Sequence, residues 1–144
     1  MYAILKTVHS YWAFLVLMLL IGIVINCLIG RFSGRLFSSK DLRISLLGLI
    51  FSHIQLLIGF ILYFVSPWFD QFSQLGMEIM KNPESRLYLI EHPLINIIAI
   101  ILITMGWSMH KRQSDSSKKF LRIGLFYGLG LLFLLTRIPW NSWI

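Results

Sequence analysis

Four long apolar stretches alternate with short polar ones along the chain. The first runs from about His9 to Ile29, after an amphipathic lead-in, Met1–Val8. The second runs from about Ile44 to Val65 and stops at Ser66-Pro67. The third occupies about 87–110, and the fourth about Phe120 to Thr136. Each approaches the roughly 20 residues that a helix needs to cross a bilayer. The pattern predicts an all-α membrane protein, a single domain over residues 1–144 built as a bundle of four transmembrane helices. Between the second and third stretches, Trp68, Phe69, Phe72, Leu75, Ile79 and Met80 predict a short helix lying in the interface. Asn82-Pro83-Glu84 is a helix-start signal, so the third helix is expected to begin near Pro83. Pro93 lacks an amide hydrogen and predicts a kink beside His92. Pro139-Trp140-Asn141-Ser142-Trp143 reads as an interfacial aromatic anchor.

Small and polar residues mark the buried faces of membrane helices, because lipid supplies no hydrophobic drive for helices to associate. Ser45, Gly48, Ser52, Gln55 and Gly59 form one stripe on the second span. His92, Asn96, Ala99, Ile103, Gly106 and His110 form one on the third. The fourth carries Gly124 and Gly128, with Gly130 beside the stripe. Ordinary helix packing explains the glycines and serines. It does not explain the histidines.

Composition agrees with the pattern: 57% of the 144 residues are hydrophobic and only 13% charged, with a mean hydropathy of +0.76. The net charge of +7 does not point to nucleic acid. The basic residues concentrate in the first loop (Arg31, Arg35, Lys40, Arg43) and the third, while the middle connection carries Asp70, Glu78 and Glu84. The positive-inside rule then puts both termini on the extracytoplasmic side of a bacterial inner membrane. Cys27, the only cysteine, excludes an internal disulfide and a covalent Cys-x-x-Cys-His haem attachment. The N-terminal stretch is too long for a signal core and reads as a retained span.

Depth sorts the four histidines. At about 1.5 Å per residue, His9 and His92 lie roughly 31 and 27 Å from the basic-loop edge, His53 only about 14 Å. His9 and His92 are therefore level, on spans that run in the same direction. An intramembrane histidine is a site by default, and this pair is expected to hold a haem iron non-covalently. The competing reading makes them interfacial residues partnered by water. Gln55 and Glu91 are candidates to orient the ligands, Gly59 to let a porphyrin face approach, and Lys6, Arg86 and Arg137 to meet haem carboxylates. Arg137 reads equally as a snorkelling anchor. His53 reads as hydrogen-bonded across helices, as packed on a haem edge, or as a reserve ligand in place of His9. His110, beside Lys111 and Arg112, reads as a solvated loop residue.

Three runs carry a family likeness: His9-Ser10-Tyr11-Trp12-Ala13, then Gln55-Leu56-Leu57-Ile58-Gly59-Phe60-Ile61-Leu62-Tyr63, then Arg86-Leu87 leading into His92-Pro93-Leu94. With them the chain resembles one haem-binding half of the haem A synthase family. It is also similar to small four-helix "cytochrome b" proteins of Bacteroidetes-type bacteria. The resemblance implies a bundle whose two histidines, on parallel spans, ligate haem; they match His9 and His92. The synthases have two such halves, with an acidic residue shortly before the first histidine of the catalytic half. Here that neighbourhood is Leu5-Lys6-Thr7, so the resemblance implies haem binding rather than hydroxylation.

The functional expectation is a membrane haem b protein in respiratory electron transfer or haem handling, not an enzyme by itself. Its expected partners are the lipid bilayer, a membrane protein or respiratory complex, and a quinone. The alternative is a haem-free accessory or assembly subunit of a larger complex. Neither a nucleophile–base set, nor a phosphate loop, nor a zinc spacing is present.

Overall fold

A computed structural model describes residues 1–140; Asn141, Ser142 and Trp143 of the aromatic anchor lie outside the described residues. The helices are α1 (Tyr2–Ser33), α2 (Ser39–Val65), α3 (Pro67–Leu75), α4 (Pro83–Arg86), α5 (His92–Lys111) and α6 (Ser116–Thr136). A 3-10 segment, Gly76–Lys81, follows α3, and a π-helical segment, Leu87–Glu91, joins α4 to α5. Among the described residues four helices are long and apolar enough to cross a membrane: Tyr2–Ser33, Ser39–Val65, Pro83–Lys111 and Ser116–Thr136. The first is continuous from Tyr2, so the lead-in belongs to the same helix as the apolar stretch. The short interfacial helix is α3, begun by Pro67 and capped by the Ser66 side chain.

The first loop is short because both of its flanks are fixed. Gly34 ends α1 at φ 72°, a left-handed conformation that a Cβ disfavours. The Arg35 amide donates to the Gly30 carbonyl at 3.1 Å. Four residues on, Ser38 and Asp41 form a capping box at the start of α2. Asp41 is buried and also accepts from Asn26 at 2.7 Å and from Arg35 at 3.3 Å. Arg31 and Phe37 tie this loop to Ser117 and Ser116 at the start of α6.

α1 packs on α2 and α6, and α5 packs on the same two helices, most extensively on α6. α1 and α5 therefore face each other across the diagonal. The glycines sort by neighbour. A Cβ on Gly130 would meet Ile103 at 2.8 Å and the Ala99 carbonyl at 2.9 Å, and one on Gly106 would meet Phe126 at 2.7 Å. These two glycines let α5 and α6 touch. Gly124 instead faces Cys27 of α1, and Gly128 faces Val24. The core, Leu20, Ile23, Cys27, Ile103, Phe120, Ile123 and Tyr127, fills the half of the bundle nearer the basic loops. There Tyr127 donates its buried hydroxyl to the Ser45 carbonyl at 2.8 Å.

The kink expected at Pro93 takes the form of the π-helical segment that ends at Glu91. The His92 amide reaches back to the Leu87 carbonyl. Pro93 has no amide hydrogen to give Leu89, the residue four positions earlier. Tyr63 of α2 takes that place, donating to the Leu89 carbonyl at 3.1 Å. A buried carbonyl freed by proline is thus satisfied from the neighbouring helix.

Candidate functional site

A cavity of about 240 Å³ lies between the diagonal helices. His9, Gln55, Gly59, His92, Asn96 and Lys6 are among its lining residues, with Tyr2 and Pro139 from the two chain ends. The two histidines, level by depth, meet across this cavity. Their ring centres are 6.3 Å apart, with the planes at 87°.

His92 is held from its far side. Its Nδ1–H donates to the Arg137 carbonyl at 2.8 Å, so the lone pair belongs to Nε2. The Asn96 amide approaches that Nε2 at 3.1 Å, one helical turn away. On the other side Gln55 donates to the His9 carbonyl at 2.9 Å, and its nitrogen stands 3.5 Å from His9 Nε2. A Cβ on Gly59 would meet His9 Cε1 at 3.2 Å, so glycine there leaves the imidazole its place.

Buried polar atoms without a partner gather here. Among the described residues they are His9 Nδ1, Ser52 Oγ, Gln55 Oε1, Asn96 Oδ1 and Arg122 Nε. All but the last belong to residues that line this cavity. Buried polar groups are nearly always paired, and the exceptions concentrate at this cavity. Ser52 is fully buried, at 0% exposure. Sequence reasoning placed Ser52 and Asn96 on the right stripes but gave them no role. Their spacing from Gln55 and His92 was the available signal.

Of the cationic candidates, Lys6 lines the cavity, while Arg86 and Arg137 meet at Glu91 and are not among the lining residues. Glu91 receives Arg86 Nε at 2.8 Å and Arg137 Nε at 3.5 Å. Glu91 therefore orients the two guanidinium groups and makes no contact with a histidine ring, contrary to the role considered for it. Trp68 of α3 stacks on Tyr88 at 4.9 Å, and both border the cavity. The remaining histidines lie elsewhere. His53 is on the outer surface of α2, its Nδ1 on the Leu49 carbonyl at 2.8 Å and its Nε2 3.3 Å from Thr104 Oγ1. His110 corrects the expectation of a solvated loop residue. It is 1% exposed, on the last turn of α5, between the rings of Phe37 and Trp107. The reason is that the first loop folds Phe37 over it, which local charge could not reveal.

Among the described residues no three His, Cys, Asp or Glu side chains converge as a metal cluster. A pair is what the cavity offers. Comparison with protein-family models, with curated proteins and with solved structures gives no match.

Proposed function

We propose that this chain is a membrane b-type haem protein in which His9 and His92 would hold the haem iron. The observation that carries the reading is the separation of those rings across one cavity. An iron held about 2 Å from a nitrogen of each imidazole needs ring centres roughly 6 Å apart. The donor set fits as well. His92 carries its proton on the nitrogen facing Arg137, and Nε2, which accepts from the Asn96 amide at 3.1 Å, would ligate by giving up that bond. His9 Nδ1 is buried without a partner. Gly59 keeps a Cβ out of the space beside it.

In this reading haem supplies one-electron chemistry when bound. Held by both imidazoles, the group would serve electron carriage or haem handling rather than catalysis. Lys6, Arg86 and Arg137 would hold the haem carboxylates at the rim, and the Glu91 ion pairs keep two of them in place. The apolar walls exclude water. The proposed setting is a bacterial inner membrane with both termini extracytoplasmic, following the basic first and third loops. A membrane protein partner would complete the electron path. Likeness to a haem-binding half of the haem A synthases supports the same ligand pair.

The test is a dithionite-reduced minus oxidised spectrum of the detergent-purified protein, with a pyridine haemochrome assay. A low-spin b-type signal near one haem per chain is expected. A colourless protein, purified with haem supplied, would overturn the reading in favour of an accessory subunit.

A further inference from the structure

A second opening lies on the bundle's outer surface, in the groove between α2 and α5. Among its lining residues are His53, Leu56, Ile100, Thr104, Met105 and Arg112. α2 and α5 are the most loosely packed neighbours of the four spanning helices. His53 is exposed here, near the middle of α2, where a bilayer would offer it only hydrocarbon. Such a residue needs a reason to be there.

Counting hydrogens supplies one. A carbonyl can only accept, so the contact of His53 Nδ1 with the Leu49 carbonyl places the proton of a neutral ring on Nδ1. Thr104 spends its only hydroxyl hydrogen on the Ile100 carbonyl at 2.8 Å. His53 Nε2 and Thr104 Oγ1 then face each other at 3.3 Å as two acceptors with no hydrogen between them. The groove therefore asks for a donor, delivered at hydrocarbon depth. Depth excludes a charged lipid headgroup, because phosphates and ammonium groups stay at the interface. A neutral ring bearing a hydroxyl, on an apolar tail, meets both conditions.

We propose that the α2–α5 groove binds a lipid-soluble quinol-class molecule, its ring hydroxyl donating to His53 Nε2. Leu56 and Ile100 line both this groove and the His9–His92 cavity, so one layer of side chains separates the two. The inference stands on the groove alone and does not require haem in the cavity.

The probe is heptyl-hydroxyquinoline-N-oxide, a hydroxylated ring on an alkyl tail whose fluorescence is quenched on binding, titrated into the full chain in nanodiscs. Saturable binding above that of empty nanodiscs is expected. Loss of one hydrogen bond predicts a His53→Leu affinity about 3- to 10-fold weaker. Ile101→Trp, at an exposed groove position that needs no change in the core, should block the site without touching His53. His9→Ala and His92→Ala should leave probe affinity unchanged while removing any haem spectrum, which separates this proposal from the haem reading. Equal affinity in wild type, His53→Leu and Ile101→Trp would overturn it. So would binding lost only in the cavity variants, which would place the ring between His9 and His92, or pH-dependent protonation of His53 with no saturable probe binding, which would supply the missing hydrogen from solvent.

Discussion

His92 and His110 stand on one stripe of α5, yet one borders a cavity and the other is sealed between Phe37 and Trp107. Around His110 the first loop, Phe120 and Tyr127 fill the space, and Gly106 brings α6 against α5. Next to His92 runs the π segment, and four residues lining the cavity keep buried polar atoms unpaired. One end is filled by side chains; the other keeps a cavity bordered by buried polar atoms without a partner. The same residue type on the same stripe is therefore enclosed by rings at one end and borders a cavity at the other. What differs is whether the neighbours complete the hydrogen bonds.

The comparison breaks most visibly at the histidines. His9→Ala or His92→Ala should abolish a low-spin haem spectrum, measured on detergent-purified protein. His110→Ala should keep the spectrum and lose about 2 kcal/mol of stability from the emptied core space, read as a lower thermal midpoint. If His110→Ala also lost haem while folded, the division of labour between the two ends would fail.

Glycines give the next largest contrast. Gly130→Ala drives a Cβ into Ile103 and the Ala99 carbonyl and should cost about 2 kcal/mol through overpacking. Gly22→Ala, which meets nothing within 4 Å, should change the midpoint by less than about 0.5 kcal/mol equivalent. Gly59→Ala should barely affect folding, since its one close neighbour is the His9 imidazole. It should instead shift the haem absorption or weaken haem retention. A Gly59→Ala protein with an unchanged spectrum would show that the ligand does not depend on this approach.

Tyrosine hydroxyls sharpen the contrast further. Tyr127→Phe removes the bond to Ser45, and Tyr63→Phe removes the bond to the Leu89 carbonyl freed by Pro93. Each should cost about 1 kcal/mol. Only Tyr63→Phe is expected to alter haem affinity, because Leu89 lies in the segment that positions His92. The smallest effect is expected at the rim. Glu91→Gln breaks partly exposed ion pairs and should change stability by less than about 1 kcal/mol, while loosening the two arginines. Its check is the haem midpoint potential by redox titration, which should move although the thermal midpoint does not.

Much of this architecture was legible in the chain. Hydrophobic length determined the spans, because a bilayer imposes its thickness on any helix that crosses it. Small and polar stripes determined which faces turn inward, since only those residues let membrane helices approach. Pro93 announced a disturbance beside His92, because its missing hydrogen is local chemistry. Depth arithmetic put His9 and His92 level. Tertiary structure decided the rest. Only the diagonal arrangement of α1 and α5 turns level histidines into facing ones. Only the fold of the first loop over α5 buries His110. The pairing of Glu91 with two arginines, and of Tyr63 with Leu89, joins residues from separate segments. Periodicity records which side of a helix faces in, because each residue's angle and depth follow from its own position. It does not record which neighbour it will meet there, because that depends on how four helices share one core.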